Sequence, residues 1–458
     1  MKLFFKTYGL LCGLVFICLV LVSWAVLIHY QKTGKFPPTY EQIISSGRLK
    51  LITHYAPSTY YTYQGQPTGF EYDLAKEFAN YLDVDLEIIT PGWNNMIPYL
   101  EKGKGDFLAA SMTITRERLD HVVFSIPYMD IQQHLIHHRL VFGAKNIEDL
   151  SGKTIHVRRG TSYHYRLKQL KENGINLNYI LHDNVSTEDM IKMVAQRDIK
   201  FTIADNNIAT QNRRYYPDIL IGIPVQKKEF LAWAVNPKNQ KLQKEINAFF
   251  LWGIQNGIIE LIQDKYYGNK ENFDYFELKK FHERIVTRLP KYKDLIIKES
   301  ETYGFDWRLV AAVVYQESHF NPRARSFTNV RGLMQVTRKT AEEMGIDNRL
   351  KPEQSIKAGI KYLNKMYLKF KDIDNPYQRM LFALASYNVG YGHVKDARQI
   401  AVEKGLNPDK WQVLKQMLPL LARSKYYKKT KYGYARGWEP VDYVRRILTY
   451  YDILKKKL

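Results

Sequence analysis

The stretch from Ala311 to Gln335 constrains the fold and the chemistry of this chain more than any other. An apolar run, Leu309–Tyr315, follows Asp306, a typical helix N-cap, and predicts a buried helix. Glu317 lies near the end of this helix, which Asn321-Pro322 is expected to stop. A carboxyl group that points from an apolar helix into a cleft loses water, so its pKa rises and it can act as a general acid. A lone Glu at a helix end more often only caps or solvates the helix.

An ordered series of short motifs accompanies Glu317 and favours the catalytic interpretation. The series is Glu317-Ser318, Asn321-Pro322, Ser326, Gly332-Leu333-Met334-Gln335, Thr340-Ala341, Gly345, Gly359, Tyr362-Leu363 and Ala385-Ser386-Tyr387-Asn388-Val389-Gly390. It resembles the catalytic domain of the soluble lytic transglycosylases, a mainly α, lysozyme-like fold that cleaves peptidoglycan, over residues 290–452. Two departures are visible. Asn329 stands where the family usually has Gly, and Glu439 is followed by Pro440-Val441 where many members have Thr-Arg.

The resemblance implies a mechanism that uses a single protein carboxylate. Ordinary glycosidases use two, but the motif gives no catalytic place to the acids downstream of Glu317. Glu317 would protonate the oxygen of the β-1,4 bond between N-acetylmuramic acid and N-acetylglucosamine, while the 2-acetamido group stabilises the anomeric carbon. Glu317 would then take the proton of the 6-hydroxyl as a 1,6-anhydro ring closes. A hydrolytic muramidase is an alternative that differs only in its product.

The same resemblance implies six substrate-binding side chains around Glu317. Hydroxyl groups would hold Glu317 or the acetamido group, amides would grip the sugar amides, and apolar faces would meet the sugar rings. Ser318 and Ser326 would supply the hydroxyl groups, Gln335 and Asn388 the amides, and Met334 and Tyr387 the apolar faces.

Strands and helices alternate at short spacing upstream, which predicts an α/β domain with a parallel sheet. Its motifs are Gly69-Phe70-Glu71-Tyr72-Asp73-Leu74, Gly105-Asp106, Thr113-Ile114-Thr115-Arg116-Glu117-Arg118, Phe124-Ser125-Ile126-Pro127-Tyr128, Gly152-Lys153, Gly160-Thr161-Ser162 and Ile203-Ala204-Asp205. They resemble the family-3 periplasmic solute-binding proteins, whose two α/β lobes close on a small ligand, over residues 47–268. An apolar-periodic helix, Leu242–Ile262, follows.

The second resemblance implies a binding site for an amino acid or a similar small molecule. Arg118 would clamp the ligand carboxylate with its two-pronged guanidinium, and Asp205 would face the ligand ammonium. Thr113 and Thr161 would add shorter hydrogen bonds. The alternative is that Arg118 and Asp205 are surface charges on a degraded lobe.

The chain carries 68 Lys and Arg against 46 Asp and Glu, a net charge of +22. This balance favours an anionic partner: nucleic acid, an acidic membrane surface or carboxylate-rich peptidoglycan. No zinc-finger spacing, phosphate loop or recognition-helix pattern is present, so nucleic acid is not expected. Both cysteines, Cys12 and Cys18, fall in an N-terminal apolar segment. The sequence therefore predicts no disulfide framework, metal site or cofactor.

The N-terminal segment, residues 1–30, predicts export. Lys2 and Lys6 precede an apolar run, Tyr8–Tyr30, which fits a cleaved signal peptide and is also long enough to be a membrane anchor. Either alternative puts the remainder at the periplasmic face of the envelope, associated with a membrane. Family resemblance favours the inner leaflet of the outer membrane, and an uncleaved segment would favour the inner membrane.

The expected organisation is thus an export segment at 1–30, a solute-binding regulatory domain at 38–268, a linker at 269–289 and a catalytic domain at 290–458. This order resembles the membrane-bound lytic murein transglycosylase F family. The expected partners are glycan strands, a membrane surface and an amino-acid-like or peptide ligand. The competing hypothesis is a periplasmic receptor or scaffold whose transglycosylase domain is idle.

Overall fold

The structure, a computed structural model, describes residues 37–268, 275–326 and 330–458. The chain divides into two compact units. The first comprises the residues up to Ile208 with Ile221–Ile259, and the second comprises Ala209–Leu220 with Glu260–Leu458. Within the described ranges, no helix combines the length and the apolar character that crossing a bilayer requires. The predicted export segment lies outside the described residues.

Within the described residues 37–268, the chain forms fourteen strands and the helices between them. The strands are β1 Arg48–Ile52, β2 Tyr61–Tyr63, β3 Gln66–Thr68, β4 Asp85–Ile89, β5 Phe107–Leu108, β6 Val123–Phe124, β7 Met129–Ile131, β8 Gln133–His138, β9 Thr154–Arg158, β10 Asn178–His182, β11 Phe201–Asp205, β12 Ile219–Pro224, β13 Glu229–Leu231 and β14 Ala234–Val235. The helices are α1 Tyr40–Ser46, α2 Phe70–Leu82, α3 Met96–Glu101, α4 Arg116–Leu119, α5 Ser162–Glu172, α6 Thr187–Gln196, α7 Asn206–Arg213, α8 Gln240–Gln255 and α9 Ile258–Tyr267. Helix α7 and strand β12 cross the division between the units, and most of α9 belongs to the second.

Two five-stranded sheets confirm the predicted two-lobed α/β fold. The strand order is β4-β1-β5-β14-β6 in the first lobe and β10-β9-β11-β8-β12 in the second. The expectation of a parallel sheet is wrong in part, because β14 runs antiparallel to β5 and β6, and β8 runs antiparallel to β11. These are the strands on which the chain enters the second lobe and returns to the first, so they join each sheet from the opposite direction.

The predicted helix Leu242–Ile262 is two helices, α8 and α9. The break falls at Asn256-Gly257, where Gly257 has a φ of 70°. A glycine in this left-handed region ends a helix readily because it has no Cβ to clash with the backbone. Apolar periodicity continued across the break, and the sequence pattern therefore did not reveal it.

The second unit is helical, as predicted. From Tyr275 onward, its described α-helices are α10 Tyr275–Thr287, α11 Lys293–Glu301, α12 Trp307–Ser318, α13 Arg338–Glu343, α14 Pro352–Leu368, α15 Pro376–Val389, α16 Tyr391–Glu403, α17 Trp411–Met417, α18 Ser424–Tyr427 and α19 Trp438–Lys457. Helix α12 lies at the centre, where every residue from Leu309 to Tyr315 is buried. The carboxylate of Asp306 accepts a hydrogen bond from the N–H of Arg308 at 2.9 Å, which confirms the predicted cap.

The prediction that residues 269–289 form a linker is wrong for the part that forms helix α10. Leu278, Phe281 and Ile285 of this helix are buried in the core of the second unit. Their spacing of three and four residues places them on one face of the helix, a pattern that the neighbouring polar residues obscured in the sequence. The remainder of the linker before Tyr275, residues 269–274, lies outside the described residues.

Candidate active site and ligand pocket

Glu317 is partly buried in the last turn of helix α12. The loss of water raises the pKa of its carboxyl group to about 7, and a hydrogen bond from Tyr443 acts in the opposite direction. The Tyr443 hydroxyl donates to Oε1 of Glu317 at 2.5 Å. These are the two causes of the shift. A carboxyl group in this state is divided between its acid and its base forms near neutral pH.

Two tyrosines flank this carboxyl group. Tyr443 comes from α19, which packs against α12, and Tyr387 comes from α15. The negative charge of Glu317 raises the pKa of both tyrosines further, after burial as the largest cause. Both therefore remain neutral hydroxyls at physiological pH. Sequence analysis missed Tyr443, although the Tyr-Val that follows Glu439-Pro440-Val441-Asp442 was a signal for it.

Polar groups of residues 324–326 and 330–336 hold these two segments together. The side-chain amide of Gln335 donates to the carbonyls of Ala324 and Gly332 at 3.1 and 2.8 Å. The hydroxyl of Ser326 accepts the N–H of Val330 at 3.0 Å. Gly332 has a φ of 91°, and a Cβ there would lie 2.3 Å from the carbonyl oxygen of Arg349. Only glycine fits this turn, which explains its place in the motif.

Several predicted substrate contacts are placed differently from the expectation. Ser318 is buried and donates to the carbonyl of Val314 at 3.0 Å within its own helix, and thus does not hold Glu317. Met334 is fully buried in the core, so its side chain presents no face to a sugar ring. Its carbonyl instead accepts the hydroxyl of Tyr387 at 2.8 Å. The structure therefore assigns Met334 a positioning role.

Asn388 is exposed at the end of α15. Tyr387 is partly buried, with an edge-on contact between its ring and that of Tyr362. Together with Ser326 and Gln335, these residues remain candidates for contact with substrate. The side chains of Ser318 and Met334 do not.

Other carboxylates of this unit are engaged with cations. Glu439 pairs with Arg436 at 2.8 Å, Glu342 pairs with Arg338 at 2.9 Å, and Glu343 pairs with Lys365. All three acids are exposed to solvent. Among the described residues, no carboxylate contributes to the pKa shift of Glu317. The arrangement thus provides one carboxyl group able to exchange a proton near neutrality.

The first unit contains a separate pocket between its lobes. All four residues predicted to bind a ligand line it: Thr113, Arg118, Thr161 and Asp205. The hydroxyls of Thr113 and Ser162 lie 3.3 Å apart across the lobes, and the hydroxyl of Ser58 donates to Glu188 at 2.7 Å. These bonds hold the lobes together around the pocket.

Arg118 and Asp205 are both buried within this pocket, which argues against the degraded-surface alternative. The guanidinium of Arg118 donates to the carbonyl of Thr113 at 2.7 Å, and burial lowers its pKa to about 10, so it remains charged. Burial raises the pKa of Asp205 to about 7, while Tyr163 and Arg118 oppose this rise and Glu229 adds to it. One oxygen of Asp205, Oδ1, is buried and has no hydrogen-bond partner within the described part of the chain. Buried polar atoms are normally paired, so this oxygen favours a bound ligand.

Sequence analysis missed a second set of pocket residues. Ser58, Trp93, Arg158 and Glu188 share the lining with His54. Burial, together with the charge of Arg158, lowers the pKa of His54 to about 3, so this imidazole is neutral. No motif singled these residues out.

Glu71 holds one residue of the pocket wall, Ser111, in place by hydrogen bonds. Its Oε1 accepts the N–H and the hydroxyl of Ser111 at 2.6 and 3.1 Å, and its Oε2 accepts the indole of Trp233 at 2.9 Å. Ser111, which lines the pocket, has a φ of 50° that is unusual for a residue with a side chain. The buried carboxylate thus stabilises a strained turn in the pocket wall.

Comparison with known proteins gives matches over both units. The family model of the bacterial extracellular solute-binding proteins, family 3, matches residues 49–269, and that of the transglycosylase SLT domain matches residues 294–409. A Desulfosudis oleivorans protein named membrane-bound lytic murein transglycosylase F is 52% identical, over 91% of this chain and 92% of its own length. A Saccharophagus degradans protein of the same name is 39% identical, over 97% of this chain and 87% of its own.

Among solved structures, an ancestral arginine-binding protein bound to arginine is similar to the first part of the chain. It is 27% identical, with a TM-score of 0.45, and the match covers 48% of this chain and 98% of that one. The ancestral amino acid-binding protein AncCDT-1, a precursor of cyclohexadienyl dehydratase, is 25% identical, with a TM-score of 0.45 and coverages of 50% and 98%.

Proposed function

The chain belongs to the membrane-bound lytic murein transglycosylase F family and is a peptidoglycan lytic transglycosylase, and we propose that Glu317 serves it as both general acid and general base. The observation that carries this proposal is the state of one carboxyl group. Glu317 has a pKa of about 7 and is bonded to the neutral hydroxyl of Tyr443. An acid with a pKa near the working pH can both give and take a proton in one catalytic cycle.

In the first step, Glu317 gives its proton to the bridging oxygen between N-acetylmuramic acid and N-acetylglucosamine. The bond from the anomeric carbon to that oxygen breaks, and the oxygen leaves as a hydroxyl. The 2-acetamido group of the muramyl residue stabilises the positive charge at the anomeric carbon. Tyr443 donates to the Glu317 carboxylate that results, because a hydrogen bond to a charged oxygen is stronger than one to a neutral acid.

In the second step, the carboxylate of Glu317 removes the proton of the 6-hydroxyl of the same muramyl residue. The 6-oxygen attacks the anomeric carbon and closes the 1,6-anhydro ring, which restores the protonated acid. No water is consumed. The 6-hydroxyl is thus the nucleophile, and a second protein carboxylate is not needed.

The substrate would be positioned by the groups around Glu317. Asn388 is exposed and able to bind a sugar amide, and Gln335 and Ser326 hold the loop that borders the acid. Tyr387 has its hydroxyl fixed by the Met334 carbonyl, so its ring offers a rigid edge to a sugar.

We further propose that the first unit binds an amino-acid-like or peptide ligand and modulates cleavage. The support is the buried pair of Arg118 and Asp205, with Thr113 and Thr161 beside them. A ligand carboxylate would lie against Arg118 and its ammonium against Asp205. Binding between two lobes favours their closed form. Coupling of this kind between sites is typically about 1–3 kcal/mol.

The protein is periplasmic and membrane-associated, in keeping with the name of its relatives. We propose that residues 1–30 direct this placement, either as a cleaved signal or as an anchor. The finer alternatives are the inner leaflet of the outer membrane and the inner membrane. Separating the membranes of the producing cell on a density gradient and detecting the protein in each would distinguish them.

Product analysis tests the proposed chemistry. The purified protein would digest peptidoglycan sacculi, and the released fragments would be measured by mass spectrometry. Fragments ending in 1,6-anhydromuramic acid support the proposal, whereas reducing muramic acid ends, heavier by one water, would make the protein a muramidase. The absence of any release would favour the scaffold hypothesis, against which the raised pKa of Glu317 already argues.

A further inference from the structure

The ligand pocket contains a second pair of charged side chains, one basic and one acidic, in addition to Arg118 and Asp205. Arg158 ends strand β9 and Glu188 begins helix α6, and both line the same cavity. The charge of Glu188 raises the pKa of Arg158, against the larger lowering by burial. A zwitterionic amino acid bound at Arg118 and Asp205 leaves this second pair unused.

Asp205 of the first pair and Arg158 of the second lie on opposite faces of the second-lobe sheet, at the edge where its parallel strands β9 and β11 end. Val157 and Ile203 belong to one buried cluster with Tyr163 of helix α5. Successive side chains of a strand point to opposite faces. Asp205 therefore shares the α5 face with Ile203, and its N–H donates to the hydroxyl of Tyr163 at 3.2 Å.

Arg158 follows Val157 and therefore points to the other face. On that face, Thr202 of β11 contacts Met190 of helix α6, the helix whose first turn contains Glu188. The edge of the sheet therefore lies between Asp205 and Arg158. A single ligand must extend past this edge to contact both charged pairs.

In the second pair Glu188 is buried and Arg158 is partly buried, and their hydrogen bonding is incomplete. The guanidinium of Arg158 lies 5.2 Å from the ring centroid of Trp93, and its Nε has no hydrogen-bond partner among the residues that the structure describes. The Nδ1 of His54, on the same side of the cavity, also lacks one. Glu188 is buried, and its Oε1 accepts the hydroxyl of Ser58. Buried charges are costly unless they are paired, so this half of the pocket favours a ligand with complementary charges.

We propose that the pocket binds an α-amino acid whose side chain ends in a second carboxylate and a second ammonium, as in 2,6-diaminopimelate. The α-carboxylate and α-ammonium contact Arg118 and Asp205, and the distal carboxylate and ammonium contact Arg158 and Glu188. A ligand whose side chain ends only in a cation would repel Arg158 and leave it unpaired. A ligand whose side chain ends only in an anion would repel Glu188 and leave it unpaired. This inference rests on the proposed ligand-binding role of the first unit.

Three matched compounds test the inference by titration calorimetry on the full-length protein. Lysine is diaminopimelate without the distal carboxylate, and 2-aminopimelate is diaminopimelate without the distal amine. We expect meso-2,6-diaminopimelate to bind at least about tenfold more tightly than either, since each of the other two compounds lacks one charged hydrogen-bonding group.

Variants assign each contact. Arg158→Gln is expected to remove the advantage of diaminopimelate over lysine, and Glu188→Gln its advantage over 2-aminopimelate. Arg159→Gln is the matched control, because Arg159 is exposed and pairs with Asp183 at 2.7 Å. It should leave all three affinities unchanged. Because each test is a ratio of affinities within one variant, a partial loss of folded protein does not change its outcome.

The outcomes separate the two proposals. If lysine and 2-aminopimelate bind as tightly as diaminopimelate, or if Arg158→Gln preserves its advantage, the distal assignment is wrong while the ligand-binding role stands. If none of the three compounds and no common amino acid binds at millimolar concentration, the ligand-binding role itself fails and the distal assignment fails with it.

Discussion

The hydroxyl of Tyr443 lies 2.5 Å from Oε1 of Glu317, although 126 positions separate the two residues in the sequence. The contact exists because helix α19 packs along helix α12 in the core of the helical unit. The proton affinity of Glu317, the proposed general acid, therefore depends on the hydrogen bond from a neutral tyrosine hydroxyl. The opposing effects of burial and of this hydrogen bond leave the pKa of Glu317 at about 7.

Tyr443→Phe is expected to shift the pH dependence of cleavage. The acid step needs protonated Glu317, so kcat/KM falls as pH rises through about 7. Loss of the hydroxyl removes a group that lowers this pKa, and the alkaline limb should move upward by about one pH unit. A pH profile on soluble glycan strands measures the shift. Tyr432→Phe, which changes an exposed tyrosine, is the control, and an unmoved limb in Tyr443→Phe would contradict the assignment.

Glu317→Gln should stabilise the folded protein at alkaline pH. The folded pKa of Glu317 is raised from 4.5 to about 7, so the folded state binds the proton more tightly than the unfolded state. The free energy of unfolding therefore decreases as pH rises from about 4.5 through 7 because of this group, by about 1–3 kcal/mol. Urea unfolding at pH 5 and pH 8 should show the variant gaining stability only at the higher pH. Equal differences at the two values would contradict the raised pKa.

Ligand affinity should depend on Asp205. A ligand ammonium pairs with the carboxylate form, and the pKa of this group is about 7, raised by burial and by Glu229 and lowered by Tyr163 and Arg118. Below pH 7, affinity for meso-2,6-diaminopimelate should fall by up to about tenfold per pH unit. Calorimetry from pH 5.5 to 8.5 measures the slope. Asp205→Asn should bind weakly with the slope removed, and a wild-type affinity that is flat across this range would be inconsistent with the predicted role.

Gly359→Ala should disrupt the site from the core. A Cβ at Gly359 would lie 2.5 Å from the Cβ of Met334, the residue whose carbonyl holds Tyr387. Such overpacking typically costs about 1–3 kcal/mol and moves the backbone. Thermal unfolding and cleavage assays should both show a loss. Lys357→Ala, an exposed position on the same helix, should show neither, and a Gly359→Ala variant with the stability and activity of wild type would refute the packing argument.

The sequence was most informative where local rules decide the structure. The cap at Asp306, the apolar run and Glu317 near the helix end all follow from nearest neighbours along the chain. The four predicted ligand residues also came together in one pocket, because their motifs lie in loops at the strand ends of a recognisable fold.

The features of the two sites that the sequence did not predict depend on packing between segments that are distant in the chain. Nothing local distinguishes Met334, which faces the core, from a motif residue that faces the cleft. Arg158 and Glu188 belong to no motif, and only the alternation of strand β9 and the start of helix α6 bring them to the pocket. The contact of Tyr443 with Glu317 depends in the same way on the packing of α19 against α12.

Glu317→Gln tests the central claim most directly, through the release of soluble fragments from purified sacculi. The amide keeps the shape of the side chain and cannot deliver a proton. Circular dichroism would verify the fold, and Glu439→Gln, which changes an exposed, ion-paired acid of the same unit, provides the control. The account predicts that Glu317→Gln lowers the rate at least about a hundredfold, the smallest usual contribution of a general acid, while Glu439→Gln cleaves as wild type. A folded Glu317→Gln protein that releases anhydromuramyl fragments at near the wild-type rate would contradict it.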